Sequence, residues 1–186
     1  MRIVAGIHRS REIRAPKGDS TRPTSDRVRE ALFSMLEAAR PVEGLRVLDL
    51  YAGTGALALE ALSRGALAAT LVEKSREALA VIAANVDGLG VKAQITVLAT
   101  DVGRAASRLV GMSFDLVFAD PPYRDIGAGE LEKAVAPLLL NGILAPGGRF
   151  VLELASRDAV PSLPGLELDK ARVYGDTQIA IFEARS

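Results

Sequence analysis

The sequence predicts an α/β fold built on a mostly parallel sheet, and three features of its 186 residues support this. From about residue 45, short runs rich in branched apolar residues alternate with longer stretches rich in Ala and Leu. This alternation is typical of strand–helix–strand units. The Ala- and Leu-rich stretches close on Gly, as helices commonly do. Residues 166–184 instead alternate apolar and polar side chains in two short segments, which is typical of a β-hairpin.

Five apolar runs are predicted as buried strands of this sheet. They are RVLDLY (46–51), AATLVEK (68–74), AQITVLA (93–99), FDLVFAD (114–120) and RFVLELA (149–155). The stretches between them repeat apolar residues at spacings of three and four, which indicates helices over parts of 56–65, 75–90, 101–111 and 127–142. Two further segments, 166–174 and 177–184, meet at Gly175-Asp176 and predict an antiparallel hairpin. We therefore expect a seven-stranded sheet with helices on both faces.

The segment before the sheet is of a different kind. Residues 1–15 alternate weakly around Gly6 and Ser10, which predicts a short hairpin or an extended arm. After a turn-rich stretch, Ser25 can cap a helix that carries Asp26 in its first turn and ends at Pro41. No linker or repeat interrupts the chain. We expect a single domain over residues 1–186, with residues 1–40 as a basic arm and helix.

The N-terminal arm is basic although the whole chain is neutral. Lys and Arg total 23, as do Asp and Glu, yet residues 1–29 hold eight basic and three acidic side chains. Most of these basic residues are Arg, whose guanidinium suits bidentate phosphate contacts and stacking on bases. Nucleic acid is therefore a candidate partner, and a solvated surface hairpin is the alternative. The arginines expected to bind the substrate are Arg9, Arg11, Arg14 and Arg22.

Composition excludes several kinds of chemistry. The chain has no Cys, which excludes disulfide scaffolds, Cys-ligated metal sites and thiolate nucleophiles. Its one His, His8, has no His or Cys partner, so we expect no metal site. No stretch approaches the roughly 20 apolar residues of a membrane span, and charges occupy the N-terminus where a signal peptide needs an apolar run. We expect a cytoplasmic monomer that does not bind membranes.

The strongest motif is the turn that follows the first predicted strand, VLDLYAGTGALA (47–58). A strand that leads through a Gly-x-Gly turn into a helix presents backbone N–H groups at the carboxyl edge of the sheet, where α/β folds bind nucleotides. Glu73 ends the second strand, where it can accept hydrogen bonds from ribose hydroxyls. Asp101 follows the third strand, where it can accept one from an adenine amino group. The expected cofactor-binding residues are Asp49, Gly53, Thr54, Gly55, Glu73 and Asp101.

The turn alone fits two cofactors. It satisfies a loose dinucleotide pattern, Gly-x-Gly-x-x-Ala, but Asp49 stands four residues before Gly53, where it can reach a cationic amino group. A dehydrogenase has no use for an acid at that place. S-adenosylmethionine has an amino-acid end, a ribose and an adenine but no pyrophosphate, so it can use Asp49, Glu73 and Asp101 together. We therefore predict S-adenosylmethionine as the cofactor.

A second motif, Asp120-Pro121-Pro122-Tyr123, follows the fourth predicted strand and so lies beside the Gly turn. The lone pair of an exocyclic base amine is delocalised into the ring. Two acceptors, the Asp120 carboxylate and the Pro121 carbonyl, can hold its N–H bonds and direct the lone pair towards a methyl donor. Pro122 helps to fix that carbonyl rigidly, and Tyr123 offers a face on which a flipped-out base can stack. These four residues are the expected catalytic residues; a strand end stopped by prolines is the alternative.

Together these motifs resemble class I S-adenosylmethionine-dependent methyltransferases of the amino-methylating type, whose fold is Rossmann-like. The blocks RIVAGIHRSREI (2–13) and TRPTSDRVREALFSML (21–36) resemble more narrowly the bacterial 16S rRNA guanine-N2 methyltransferase family of the RsmD type. Ala5 and Ser10 stand where that family usually has glycines in its N-terminal hairpin. The resemblance implies transfer of one methyl to N2 of a guanine in 16S rRNA, with the assembling small subunit as substrate.

Two other kinds of function remain open from the sequence. The Gly turn and the proline motif are shared with DNA adenine-N6 and protein glutamine-N5 methyltransferases. The basic arm favours nucleic acid over protein, and the lack of a separate target-recognition domain disfavours sequence-specific DNA. A non-catalytic nucleic-acid-binding protein with a vestigial pocket is disfavoured because both motifs are intact. We expect the arm to be required for RNA binding and dispensable for cofactor binding.

Overall fold

A computed structural model describes residues 1–15, 26–122 and 129–185, and within them seven strands form one sheet. The strands are β1 (Arg46–Leu50), β2 (Ala68–Glu73), β3 (Ile95–Ala99), β4 (Phe114–Ala119), β5 (Leu144–Ala155), β6 (Leu166–Tyr174) and β7 (Thr177–Ala184). Their order across the sheet is β3-β2-β1-β4-β5-β7-β6. β1 to β5 pair in parallel, whereas β7 pairs antiparallel with both β5 and β6. The predicted α/β class and C-terminal hairpin are confirmed.

Helices cover both faces of this sheet, as expected. They are α1 (Asp26–Ala39), α2 (Ala56–Ser63), α3 (Arg76–Leu89), α4 (Val102–Ala105) and α5 (Glu130–Leu140). Side chains of α1, α2 and α3 pack with Val47 and Leu71 on one face, and those of α4 and α5 pack with Leu48 and Val72 on the other. Each strand thus contributes alternate residues to two cores, because successive side chains of a strand point to opposite faces.

The structure corrects two expectations about individual elements. β3 is not a buried strand: it lies at the edge of the sheet, and Val97 is 40% exposed because only β2 borders it. The helix predicted within 101–111 is reduced to four residues followed by a short 3₁₀ turn at Ala106–Arg108. Gly103 lies in the first turn of α4, and the Ser107 hydroxyl donates to the Arg104 carbonyl. Both features weaken a regular helix.

The N-terminal arm is a hairpin that forms part of the folded core. Ile3 and Ile13 are 1% and 3% exposed and pack in the core with α1 and α2. The turn of the hairpin lies against the last residue of α2, where the Ile7 N–H donates to the Ser63 carbonyl at 2.8 Å. Ser10 has the left-handed backbone, φ 67°, that Gly adopts more readily. Deletion of residues 1–15 would therefore open the core, and the expectation that the arm is dispensable for cofactor binding stays a prediction.

Buried charges fasten the arm to α2. Glu60 on α2 is fully buried and accepts the backbone N–H groups of Val4 and Ala5 at 2.8 and 2.9 Å. The same carboxylate lies 3.4 Å from Arg29 Nε and 2.9 Å from Arg64 Nε. A buried ionic group is stable only when it is paired and hydrogen-bonded, as Glu60 is. If the arm detached, Glu60 would keep its two arginines but lose both backbone N–H donors, so the buried carboxylate favours the docked arm.

Candidate active site

The carboxyl edge of the sheet brings the predicted cofactor-binding and catalytic motifs together. Leu50, the last residue of β1, pairs with Val72 of β2 on one side and with Ala119 of β4 on the other. The turn after β1 therefore lies between Glu73, which follows Val72, and Asp120, which follows Ala119. Asp101 follows β3 at the same edge. Parallel strands place their carboxyl ends together, so the sequence motifs meet as the fold class predicts.

The two glycines of the turn have different tasks. Both have left-handed backbones, with φ 56° at Gly53 and 77° at Gly55. Among the residues that the structure describes, a Cβ added at Gly53 would meet no atom nearer than the Tyr51 carbonyl oxygen at 3.9 Å, so they leave this side of the turn open. A Cβ at Gly55 would lie 3.1 Å from Leu71 Cδ2, inside the core. Gly53 therefore leaves room for a ligand, whereas Gly55 allows α2 to pack closely on β2.

Glu73 binds the turn as well as facing the site. Its Oε2 accepts the Gly53 N–H at 2.8 Å, and its Oε1 accepts the N–H groups of Lys74 and Ser75 at 2.8 and 2.7 Å. A carboxylate offers about four acceptor positions. One position on Oε2 thus remains for a ligand hydroxyl while all three backbone bonds persist. The sequence predicted only a ribose contact for Glu73 and did not indicate that its carboxylate also holds the turn.

Asp49 lies beneath the turn. It is 1% exposed, and its carboxylate accepts the Ala58 N–H in the first turns of α2 at 3.3 Å. Burial raises the pKa of Asp49 to about 7, and the negative charge of nearby Glu73 adds to that rise. Because the carboxylate is covered, it could act on a cation above the turn only through its charge. Two carboxylates close together make this part of the edge attractive to cations.

Asp101 has a structural role at the outer end of the edge. Its Oδ1 accepts the Gly103 N–H at 2.9 Å and so caps α4, while its Oδ2 accepts Lys74 Nζ at 3.1 Å. The hydrogen bond from Lys74 lowers the pKa of Asp101. Beside it lies a polar cleft of about 820 Å³, lined in part by Thr100, Arg104 and Ser107. An adenine contact at Asp101 stays a prediction, and any such contact would share the carboxylate with its cap and ion pair.

The proline motif begins where β4 ends. Asp120 is half-buried, Pro121 is buried and Pro122 is exposed, whereas Tyr123 lies outside the described residues. On the neighbouring strand Leu152 pairs with Ala119, so Glu153 stands level with Asp120. Glu153 is 4% exposed. A second acid thus borders the position where the target amine is expected.

Two residues at this edge have structural features that the motifs did not indicate. Tyr51 has φ 63°, a conformation that aromatic residues adopt rarely and that concentrates at functional sites. Asn85 of α3 is 3% exposed and donates to the Thr54 carbonyl at 3.0 Å. The sequence does contain a sign of Asn85, since it lies on the helix face that carries Ile82, Val86 and Leu89. A polar residue among buried apolar ones indicates a specific hydrogen bond.

The predicted substrate-binding arginines do not all lie near the turn. Arg9 belongs to the hairpin turn, which lies against Ser63 at the end of α2. Gly55 precedes the other end of this eight-residue helix, which is about 12 Å long. The Arg11 guanidinium donates to the Gly88 carbonyl at 2.6 Å, at the end of α3. The backbone of Arg14 is bonded to Asn85, which also contacts Thr54. Among the predicted substrate-binding arginines that the structure describes, Arg14 is therefore the one beside the turn. The fourth, Arg22, lies outside the described residues.

The chemistry of this edge fits S-adenosylmethionine. Open space at Gly53, the buried charge of Asp49 and the free acceptor position of Glu73 suit a cationic ligand that carries hydroxyls. The same carboxylates would repel a pyrophosphate. In the described part of the chain, no helix has the length and apolar character to cross a bilayer, and no cluster of acids and His is placed to hold a metal. The fold and this edge are those of a class I S-adenosylmethionine-dependent methyltransferase.

Comparison with known proteins identifies the family. The family model described as "Conserved hypothetical protein 95" matches residues 1–183, and the chain belongs to this family. It is 34% identical over 184 residues to "Ribosomal RNA small subunit methyltransferase D" of Escherichia coli K12, covering 98% of this chain and 89% of that protein. The solved structure of yhhF from Escherichia coli is similar with a TM-score of 0.84 and 34% identity, over 100% of this chain and 98% of the other. A hypothetical protein of Thermus thermophilus is similar with a TM-score of 0.81 and 33% identity, over 97% of this chain and 98% of the other.

Proposed function

We propose that this chain transfers a methyl group from S-adenosylmethionine to the exocyclic N2 amine of a guanine in 16S rRNA. The family match spans residues 1–183, and a relative covered over most of its length is named for methylation of small-subunit rRNA. That match over 98% of the chain favours rRNA over the DNA adenine and protein glutamine alternatives, since a relative named as a glutamine methyltransferase matches only 52% of the chain. The choice of guanine N2 rests on the sequence resemblance and on the proline motif.

The observation that carries the proposal is the register between β1 and β4. Leu50 pairs with Ala119, so the Gly turn and the Asp120-Pro121 pair start from neighbouring positions of the sheet edge. A ligand held over Gly53 and a base held by Asp120 would therefore be in reach of each other. Such placement of two reactants is itself a large part of catalysis.

The residues of the chain have separate tasks in this proposal. When bound, S-adenosylmethionine supplies a methyl group made electrophilic by its sulfonium. Glu73 and the turn at Gly53 hold the ribose and amino-acid parts. The Asp120 carboxylate and the Pro121 carbonyl each accept one N–H of the amine, which turns the nitrogen lone pair out of conjugation and towards the methyl. Asp120 also offsets the positive charge that develops on nitrogen during transfer and can accept the proton that the methylated nitrogen must lose, while the cofactor leaves as a neutral thioether.

The arm is proposed to hold the RNA near this edge. Arg14 is exposed and its backbone is bonded to Asn85 beside the turn, which supports a contact between its guanidinium and a phosphate next to the target nucleotide. Arg11 and Arg9 follow along the arm towards the far end of α2 and would contact more distant phosphates. We propose that the protein acts as a monomer in the cytoplasm on the assembling small subunit, where its substrate is accessible.

Nucleoside mapping tests the proposed function. The 16S rRNA of cells lacking this protein should lose one N2-methylguanosine, as measured by mass spectrometry of nuclease fragments. Wild-type protein should restore the modification, Asp120→Ala should not, and Asp169→Ala should restore it because Asp169 is an exposed residue of β6. Unchanged 16S rRNA in the deletion strain, or loss of a methyl group elsewhere, would contradict the proposal.

A further inference from the structure

Asn85 is a buried amide at the junction of α3, the arm and the Gly turn. Its Oδ1 accepts the Arg14 N–H at 2.7 Å. Its Nδ2 donates to the Arg14 carbonyl at 3.1 Å and to the Thr54 carbonyl at 3.0 Å. Both amide donors and one acceptor position are thus used. One neutral side chain contacts the arm and the cofactor turn at the same time.

These three bonds all go to backbone groups. Arg14 is held by both its N–H and its carbonyl, so its position against the turn is fixed whatever its own side chain does. Just after the turn, in α2, the Ala58 N–H is bonded to the Asp49 carboxylate. Asn85 therefore supplies a direct link between the backbone of the turn and the backbone of the arm.

The other end of the arm is anchored independently. Glu60 binds Val4 and Ala5, and Ser63 binds Ile7, all towards the end of α2 that lies away from the turn. Because that end is fixed by buried and charged groups, a shift of the turn cannot move the arm as a whole. The shift would pass through Asn85 to Arg14, the arginine beside the turn.

We propose that Asn85 is a positioning residue that couples cofactor binding at the turn to RNA binding at the arm. The inference rests on the proposed function, in which the turn holds S-adenosylmethionine and Arg14 contacts RNA. Ligand at the turn would fix the Thr54 carbonyl, and Asn85 would then hold Arg14 in its RNA-binding position. By linkage, RNA on the arm must strengthen cofactor binding by the same factor.

The coupling is measured as a ratio of two affinities. Calorimetry gives the Kd of S-adenosylhomocysteine, which lacks the transferable methyl, for the protein alone and with saturating unmodified 16S rRNA transcript. We expect the Kd of the wild type to fall about fivefold or more when RNA is present, the usual range for coupled sites. In Asn85→Ala the ratio should be close to one. A variant that is only less stable should keep the wild-type ratio, provided that circular dichroism shows it to be folded.

Three further variants isolate the role of Asn85. Arg14→Ala keeps both backbone bonds but removes the guanidinium through which the coupling reaches the RNA, so RNA should bind more weakly and the ratio should also fall towards one. Asn141→Ala changes an exposed Asn at the end of α5 and should match the wild type. Asn85→Ser replaces Asn85→Ala if the latter does not fold. A wild-type ratio of one, or a wild-type ratio in the Asn85 variants, would overturn the inference. Failure of the wild type to bind either ligand would overturn the proposed function, and the inference with it.

Discussion

The Glu73 carboxylate accepts the Gly53 N–H at 2.8 Å, so the end of β2 holds the turn that follows β1. The same carboxylate binds the N–H groups of Lys74 and Ser75, the two residues that follow it. Glu73 thus shapes the turn before any ligand arrives. Preorganisation of this kind lowers the cost of ordering a binding site when the ligand binds.

Replacement of Glu73 should weaken cofactor binding for two reasons, loss of a ribose acceptor and loosening of the turn. Glu73→Ala should cost roughly 1–3 kcal/mol of binding free energy, the range for hydrogen bonds to charged groups and for backbone donors left unpaired. Glu73→Gln keeps an oxygen acceptor but directs an NH₂ at backbone donors, so its loss should be of similar size. Calorimetry with S-adenosylmethionine measures both.

Glu77→Gln is the matched control, because Glu77 is an exposed acid four residues after Glu73, in the first turn of α3. Its affinity should equal that of the wild type. If Glu73→Ala also binds the cofactor as the wild type does, Glu73 has no part in the site.

Asp49 should give the protein a distinctive pH dependence of stability. Its pKa in the folded state is about 7, above the ordinary value of 3.8, so the folded state holds the proton more tightly than the unfolded state. The free energy of unfolding must therefore fall as pH rises from about 4 to about 7 and change no further from this group above that range. Asp49→Asn does not titrate. Between pH 4 and pH 8 the stability of wild type relative to Asp49→Asn should fall by a few kcal/mol, on the order set by the pKa shift.

Urea unfolding of both proteins across this pH range measures the difference. Asp169→Asn, at an exposed site on β6, should keep the pH profile of the wild type. Cofactor binding provides a second reading, since a cation above the turn favours ionised Asp49. Affinity of the wild type should rise several-fold between pH 6 and pH 7.5. Parallel stability profiles for wild type and Asp49→Asn would show that Asp49 is already charged in the folded protein.

The docking of the arm can be tested with two glycines. A Cβ at Gly6 would lie 1.7 Å from the Ser63 carbonyl oxygen, and its φ of +80° is also unfavourable for other residues. Gly6→Ala must push the hairpin away from α2, and we expect a loss of roughly 3 kcal/mol or more in the free energy of unfolding. Gly88→Ala is the control: it lies inside α3, where a Cβ meets nothing within 4 Å. That variant should gain roughly 0.5–1 kcal/mol.

Urea unfolding distinguishes these outcomes directly. A Gly6→Ala protein as stable as the wild type would mean that the arm does not need its contact with Ser63. Such a result would mean that burial of Ile3 and Ile13 is enough to hold the arm in place.

The local pattern of the sequence was enough to predict most strands and the meeting of the two motifs at one edge of the sheet, since both depend on short-range signals. The spacing from Gly53 to Glu73 placed an acid beside the turn because consecutive parallel strands end together. Exposure of Val97 was not predictable in this way, because the order of strands across a sheet is a tertiary property. The same holds for α4, where Gly103 and Ser107 outweigh a helical apolar pattern.

Contacts between distant segments explain the remaining differences. Asn85 bonds to Arg14, 71 residues away, and Glu60 bonds to Val4, 56 residues away. Each is a polar residue on an otherwise apolar helix face, so the sequence indicates that a partner exists. It does not identify the partner, because hydrogen-bond capacity carries no information on which backbone group will be near.

The chemical step itself is tested at Asp120. A guanine N2 amine is weakly basic because its lone pair is delocalised, so prior deprotonation is not required of the enzyme. The value of the carboxylate is then in holding the amine and in offsetting charge that develops only during transfer. Interactions made only in the transition state change kcat rather than KM.

Asp120→Ala should therefore lower kcat by roughly 10²–10³, as removal of one electrostatic stabiliser does, with much smaller effects on KM for rRNA and for cofactor. Asp120→Asn should retain somewhat more activity, because its carbonyl oxygen still accepts one N–H. Tyr123→Phe should be mild since stacking survives, whereas Tyr123→Ala should lose roughly 1–3 kcal/mol of base binding. Single-turnover methylation of 16S rRNA separates kcat from binding, with Asp169→Ala as the control. Near-normal kcat in Asp120→Ala would mean that the carboxylate does not orient the target amine. The prolines would then only end β4, and the proposed role of this motif in amine methylation would be contradicted.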